Sequence, residues 1–484
     1  MENTNRTPTL LQAFIPIIVL IALLVLNRII YGDNTLGGSN QMTLLFSAAV
    51  AAIIAGRIGY QWEEIFDGIV KSISSAMPAL IILLIIGALA GTWLLSGIVP
   101  AMIYYGLEVL NPSIFLFATC IVCAVVSLAT GSSWSTVATV GIALLGIGKA
   151  YELGEGLIAG AIISGAYFGD KMSPLSDTTN LAPAMAGTDL ITHIKYMMFT
   201  TIPSFSITLI LFLFIGFSGD GGSNSNDIVQ LQLALQEKFN ITPWLFLVPV
   251  GVIFMIVKKV PAVPALLAGA LLGGVFGIIF QPNIIETVAG ISDDFITASY
   301  KAVIDAMTTD ISVTTSNEMI NELLSTGGMA GMLNTIWLII CAMSFGGAME
   351  ATGMLRKITS SIIGYIKSDG GLIASTAGTS LFFNLTASDQ YLAIVVPGKM
   401  YSEEFRDRNL APEVLSRTLE DTGTVTSALI PWNTCGAYHA GVLGVATGTY
   451  LPYAFFNLIS PIMTVVIGFI GWKIRKISTN YQDK

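Results

Sequence analysis

Charged side chains are scarce in this chain: they make up 11% of its 484 residues, where a soluble domain carries about a quarter. With 54% apolar residues and a mean hydropathy of +0.75, that deficit points to a lipid bilayer rather than to a water-soluble fold. Histidine is nearly missing, with only His193 and His439, and cysteine is limited to Cys120, Cys123, Cys341 and Cys435, all in apolar surroundings. Cys120 and Cys123 have metal-like spacing, but no second ligand pair follows, so small buried side chains are expected rather than a zinc site. An intramembrane enzyme would need a nucleophile with a base, or a metal cluster, and neither pattern is present. A basic excess is lacking too. The net charge of −9 offers no surface for nucleic acid, and no cofactor is expected.

What is present is a succession of apolar stretches near the roughly 20 residues needed to cross hydrocarbon. Clear ones are 13–31, 43–59, 76–95, 114–128, 197–217, 242–257, 262–280, 333–349 and 453–472. Shorter or Gly-broken stretches lie between them, which predicts an all-α polytopic membrane protein with roughly eleven to thirteen crossings. The first stretch is too long for a signal peptide and carries Arg28 in its far end, so it reads as a retained helix.

Short loops rich in Lys and Arg stay cytoplasmic. That places the loop with Arg57 and Lys71 inside, together with Lys195, Lys258, Lys259 and the run Lys473, Arg475, Lys476. Residues 218–240 read as an outer loop with Asp220, Asp227 and Glu237. Residues 281–328 also read as outside, with Asp293, Asp294, Asp305, Asp310, Glu318 and Glu322 against Lys301 alone. Both termini then fall in the cytoplasm.

A pattern recurs at one offset. GTWLLSG at 91–97 meets GAMEATG at 347–353, with both glycine pairs 256 residues apart. At the same spacing Thr130-Gly131-Ser132-Ser133 meets Thr386-Ala387-Ser388-Asp389, and Asp177-Thr178 meets Asn433-Thr434. The first copy enters the membrane after a basic loop and the second after an acidic stretch, so the two are expected to cross in opposite senses. Such inverted repeats, with broken helices at a midplane site, characterise secondary transporters. The expected division is N-terminal scaffold helices at 1–75, a first repeat at 76–217, linking helices and an outer loop at 218–330, a second repeat at 331–473 and a tail at 474–484.

Backbone can leave the helix inside a bilayer only where protein or a watery cavity satisfies it. Residues 127–136 and 384–390 therefore read as tips of two re-entrant hairpins, which bring Thr130, Ser132 and Ser133 near Asn384, Thr386, Ser388 and Asp389. Hydroxyls and free carbonyls suit a small hard cation. Half-helix N-termini at the same depth could instead hold an anion. Single Ser or Thr residues more often only bond helices together, but two matched clusters, one with a carboxylate, favour a site. The second polar pair is 169–180, interrupted by Pro174, and 420–434. Carboxylates within a bilayer are costly and are functional candidates by default. Asp177 leads: it has polar neighbours, Thr178 included, and no adjacent cation, so it can hold a proton and a cation in turn. Asp170 beside Lys171 reads equally well as an interfacial ion pair, with Thr179 a further candidate. Glu420 and Asp421, near Arg417, fit a loop end equally well, while Asn433 and Thr434 complete the second copy. His193 is expected at the inner surface, and His439 is a weak candidate for pH sensing.

The run GAYFGDKMSPLSDTTNLAPAMAGTDLITHIKYM at 165–197, with ATGSSWST at 129–136, resembles the NhaC family of sodium/proton antiporters, and the likeness spans nearly the whole chain. Relatives in that family also exchange Na⁺ and H⁺ with organic acids such as malate and lactate, or move amino acids. The resemblance implies a bacterial inner-membrane transporter with two re-entrant hairpins, a mobile transport domain and a homodimeric scaffold. Its transported ions would be Na⁺, with Li⁺ as a further cation, and H⁺. By that likeness Asp177, Thr178, Ser132 and Ser133 line the cation path. Asn433 stands where the first copy has Asp177, so the halves supply unequal charge, and Asp389, opposite Ser133, can restore the balance. The alternative is a Na⁺- or H⁺-coupled carrier of a small carboxylate or an amino acid. No membrane-buried arginine stands out to clamp a carboxylate, which favours the cation reading.

Overall fold

The computed structural model describes residues 6–31, 37–218, 225–315, 321, 324–363 and 366–477. Long apolar runs become helices because a helix pairs its own backbone where no water is available to do so. Three long helices come first, α1 (Leu10–Tyr31), α2 (Ser39–Ile58) and the 34-residue α3 (Trp62–Leu95). α4 (Ile98–Val109) follows, then α5 (Phe115–Thr130), the single turn α6 (Ser133–Thr136), a π-helical turn (Val137–Gly141) and α7 (Ile142–Ala150). α8 (Glu155–Met172), α9 (Asp177–Ala186) and the 29-residue α10 (Leu190–Ser218) close the first half.

The middle of the chain holds α11 (Ser225–Lys238), α12 (Leu247–Val257), α13 (Ala262–Phe280), α14 (Pro282–Ala289) and α15 (Phe295–Thr308). Two short strands, β1 (Ile311–Ser312) and β2 (Ser325–Thr326), pair antiparallel, with Ile311 opposite Thr326. The second half runs α16 (Leu333–Ala351), α17 (Met354–Ile363), α18 (Asp369–Thr386), α19 (Leu392–Asp407) and α20 (Pro412–Leu419). It continues through a π-helical segment (Glu420–Thr424) to α21 (Thr434–Leu443) and α22 (Phe455–Ile470).

Several elements of the two halves start at one spacing. α4 and α17 start at Ile98 and Met354, 256 residues apart; α8 and α20 start at Glu155 and Pro412, and α9 and α21 at Asp177 and Thr434, each 257 apart. The helices α5 and α18 end at Thr130 and Thr386, also 256 residues apart.

Among the described residues seven helices are long and apolar enough to cross a bilayer, and two bent pairs qualify as further spans. These pairs are Val229–Lys238 with Pro243–Val257, bent by 86°, and Thr447–Tyr453 with Phe455–Ile470, bent by 58°. The other apolar helices are shorter or interrupted, α4 having only 12 residues. Two loop readings need correction. Residues 225–238 form α11 rather than open loop, and α3 begins at Trp62, so Lys71 lies within a helix that runs unbroken past residue 75. Asp220, Glu318 and Glu322 lie outside the described residues.

Polar side chains inside these helices are mostly satisfied by their own backbone. Thr418, Thr422 and Thr426 each donate to the carbonyl four residues earlier, at 2.6–2.8 Å, and Ser204 and Thr208 do the same on α10. Close packing positions the first break. At Gly169 a Cβ would stand 2.2 Å from the Ala124 carbonyl oxygen, so only glycine lets α8 lie against α5 there. That contact brings the end of α8 beside the turn that follows α5.

Candidate functional site

The α5–α6 turn depends on Gly131, whose φ of +71° lies in the left-handed region. Its counterpart in the second half uses Ser388 at φ +60°, an uncommon conformation for a residue with a side chain. The Ser388 carbonyl accepts a 3.0 Å bond from Thr434 N–H, which helps to hold this strained turn. Four helix starts converge here, α6, α9, α19 and α21. Around them lies a cavity of about 240 Å³. Its wall includes Ser75 and Ile82 of α3, Ser132 and Trp134, Asp170, Ser176, Asp177 and Thr178, then Asp389, Gln390, Tyr391 and Thr434. Among the described residues three carboxylates and no Lys, Arg or His line it.

Several N–H groups of the helix starts are already taken. Asp170 Oδ2 accepts from Ser133 N–H at 3.0 Å and from Ser133 Oγ at 2.7 Å, and Asp389 Oδ1 accepts from Leu392 N–H at 2.8 Å. Ser132, Ser176 and Asn433 cap α6, α9 and α21 through Ser135, Thr179 and Cys435 N–H. Anion binding at a helix N-terminus needs such donors unoccupied. Here the chain's own oxygens occupy at least one donor at each start, and two of these oxygens belong to carboxylates that line the cavity.

Asp177 lines the cavity but is exposed. The buried acids there are Asp389, 4% accessible, and Asp170, 8% accessible and bonded to Ser133 rather than to its neighbour Lys171. Asp177 is thus not a carboxylate buried from water, and of the two readings of Asp170 the ion pair with Lys171 is not the one formed. Ser132, Thr178 and Thr434 reach the cavity wall; Thr130, Ser133, Thr179, Asn384, Thr386, Ser388 and Asn433 stand behind it. Asn433 donates to both the carbonyl and side-chain oxygens of Asn384, and Asn384 donates to Gly423 O and Thr426 Oγ1. Together they tie the second turn to the π-helical segment. The Thr386 hydroxyl donates to Phe382 O in its own helix and Thr179 Oγ1 donates to Lys171 O. Replacing Thr386 with valine is therefore expected to leave transport within twofold of the unaltered protein in a liposome flux assay.

Glu420 and Asp421 do not form a loop end. Both are fully buried in the π-helical segment. Glu420 Oε1 accepts from Thr178 Oγ1 at 3.0 Å, and Asp421 pairs with Lys171. π turns of this kind recur at functional positions. Arg417 is also fully buried, stacked 4.7 Å from the Tyr196 ring centroid, so a buried arginine does exist; it is absent from the cavity wall. His193 is buried against Ser416 at 2.8 Å rather than lying at a surface, and His439 is buried with Nε2 3.1 Å from the Tyr167 phenol oxygen.

A second cavity, of about 290 Å³, lies against the other end of α3 and α21. It is lined by Leu94, Lys149, Ser325, Thr326 and Gly441 among others. Trp134, from the wall of the first cavity, stacks on Tyr438 of α21 with ring centroids 4.0 Å apart, and the Tyr438 hydroxyl donates to Trp134 O at 3.0 Å. Trp134, Gln390, Tyr391 and Ser176 were not picked out by sequence reasoning, although Trp134, Gln390 and Ser176 lie inside polar runs that were.

Residues 165–472 match the Na⁺/H⁺ antiporter family. The chain belongs to that family. It is 36% identical over 436 residues to the Na⁺/H⁺ antiporter NhaC of Alkalihalophilus pseudofirmus, covering 90% of this chain and 91% of the relative. It is 37% identical over 468 residues to the malate-2H⁺/Na⁺-lactate antiporter of Bacillus subtilis, at 96% of both chains. The arginine/ornithine antiporter ArcD of Halobacterium salinarum is 37% identical over 477 residues, covering 98% of this chain and 94% of that one. A solved efflux pump of Neisseria gonorrhoeae, MtrF, aligns over 96% of both chains at 15% identity and a TM-score of 0.38, too distant to bear on the site. This family member is thus a multi-pass membrane protein whose relatives are transporters rather than enzymes, and its likeness to NhaC, expected from 165–197, holds.

Proposed function

We propose that this chain exchanges Na⁺ for H⁺ across a bacterial inner membrane through the cavity between the two turns. The observation that carries the reading is the lining itself: Asp170, Asp177 and Asp389 with no basic side chain, and helix N-termini already capped by the chain's own oxygens. A carboxylate closed off from water holds either a proton or a cation, because the bare charge is costly. Alternate occupancy of one set of carboxylates is the simplest way to make two cations exchange. Ser132, Thr178 and Thr434 add hard oxygen donors of the kind a dehydrated Na⁺ takes. An organic anion would meet three carboxylates and, among the described residues, no Lys, Arg or His in the wall.

The two halves are read as inverted repeats that rock around this site. The cavity meets the middle of α3 and the start of α13, and α13 follows the basic pair Lys258–Lys259, so the cavity is read as opening toward the cytoplasm by the charge rule. The second cavity lies at the other end of α3, beside Ser325–Thr326, and is read as facing the opposite side. A homodimeric scaffold and Li⁺ as a further cation follow from family likeness.

Reconstitution into proteoliposomes with an internal pH dye tests the exchange. A Na⁺ or Li⁺ pulse is expected to drive protons out of phase with the added cation, while K⁺ does not. If only malate, lactate or an amino acid moves protons, the coupled organic-substrate reading replaces this one.

A further inference from the structure

Lys171 has no part in the cavity wall, yet it is among the most deeply buried charges in the molecule. It follows Asp170 at the end of α8, and consecutive helical residues point about 100° apart. Asp170 therefore faces the cavity and Ser133, while the Lys171 ammonium enters the packing between α8, the π-helical segment and α22. There it pairs with Asp421, both side chains being 0% accessible, and donates to Ser460 Oγ at 3.1 Å. Ser460 Oγ also bonds Asp421 Oδ1 at 3.3 Å, and the Phe456 ring centroid lies 5.7 Å from the ammonium. The triangle draws one member from each of three elements.

Two adjacent pairs interlock through it. Asp170 and Lys171 are neighbours in the first half, as are Glu420 and Asp421 in the second. Lys171 holds Asp421, and Glu420 next to it receives the Thr178 hydroxyl from the cavity wall. The Lys171 carbonyl meanwhile accepts from Thr179 Oγ1 at 3.0 Å, which ties down the start of α9 and with it Asp177 and Thr178. Displacing Lys171 would shift cavity oxygens from both halves at once. A buried pair of this kind is weak evidence for stability, since well-packed apolar replacements often serve as well. It is stronger evidence of a required arrangement, because losing one partner leaves the other charge bare.

Resting on the exchange reading above, we propose that Lys171 is a positioning residue and permanent counter-cation. It neutralises Asp421 and holds Asp170 and Thr178 in register at the cavity, so that only the cavity carboxylates take up the exchanged cations. Lys171 itself stays charged and bound throughout the cycle.

Four variants in proteoliposomes test this, read as Na⁺-driven proton flux, apparent Na⁺ half-saturation and melting temperature in detergent. Lys171→Met and Asp421→Asn are each expected to lower flux at least tenfold and to raise the Na⁺ half-saturation. The double variant Lys171→Met/Asp421→Asn, which removes both charges, is expected to return half-saturation to within threefold of the unaltered protein. Lys171→Arg, which keeps the charge, is expected to retain half-saturation within threefold. A double variant that melts normally but stays as inactive as the singles would overturn the proposal, since Lys171 would then be needed for its own charge. Single variants with unaltered half-saturation would overturn it equally. If the singles fail to fold, the double variant and Lys171→Arg still decide, a tenfold shift in Lys171→Arg counting against. Failure of the exchange reading shows separately, as an unaltered protein in which Na⁺ moves no protons; the same four-way comparison then applies to whichever solute that protein carries.

Discussion

Replacing Asp170 with asparagine is expected to reduce Na⁺-driven proton flux at least 100-fold while leaving the protein folded. Asparagine can still present an oxygen to Ser133 N–H and Oγ, the two donors that Asp170 Oδ2 accepts at 3.0 and 2.7 Å. The α6 turn therefore keeps its tie to α8. What disappears is the negative charge that a proton or Na⁺ must neutralise, at a position only 8% accessible. A 100-fold loss corresponds to about 2.7 kcal/mol, a modest share of what a buried charge–cation contact is worth. Asp177→Asn provides the contrast. That carboxylate is exposed at the cavity and screened by water, so its loss is expected to raise the Na⁺ half-saturation roughly tenfold and to spare the maximal rate. Both variants are measured by dye quenching in proteoliposomes over a Na⁺ titration, with melting in detergent as the check on folding. An Asp170→Asn protein within threefold of the unaltered flux would remove Asp170 from the mechanism and return Asp177 to the lead.

Gly131→Ala is the second change expected to act strongly, through the backbone. At φ +71° any L side chain is strained, by roughly 1–2 kcal/mol. The added Cβ would also stand 2.6 Å from Leu175 Cβ and 2.7 Å from the Leu175 carbonyl carbon, so the turn must move. Leu175 lies in the link between α8 and α9, and any shift there separates Ser132 from Asp170 and Asp177. The expected result is a melting temperature several degrees lower and a flux reduced more than tenfold. Ser388 shows what the counterpart turn tolerates: a side chain at φ +60°, with its carbonyl held by Thr434. Alanine at 131 with unaltered melting and flux would show that the turn adapts and that its geometry does not set the site.

The matched runs were legible because hydrophobic stretches interrupted by Gly, Ser, Thr and Asp have few places to go in a bilayer. Thr130–Ser133 and Thr386–Asp389 do fall at the breaks after α5 and α18, and Asp177 and Thr434 do open helices at the cavity. Individual roles within those runs were less legible. Thr386 and Asn384 looked equivalent to Ser132 and Asp389, yet Thr386 is consumed by its own helix and Asn384 by the π-helical segment. His193, which looked superficial beside Lys195, is buried against Ser416 because α20 packs over it. Arg417 was passed over as a buried cation because it sits in a stretch rich in polar residues, where composition cannot separate a loop from a packed interior.

Composition and run length thus determined by themselves that this is a largely helical, multi-pass membrane protein, and the polar runs marked where acidic and hydroxyl residues interrupt its helices. These are properties of the local chain, since each span must satisfy its own backbone. Only the tertiary structure decided which acids share a cavity and which are neutralised. Asp170 and Lys171 are adjacent in sequence and read naturally as a pair, but one step along a helix turns a side chain by about 100°. That rotation sends Asp170 to Ser133 and the cavity, and Lys171 to Asp421, a residue 250 positions away that no local pattern connects to it.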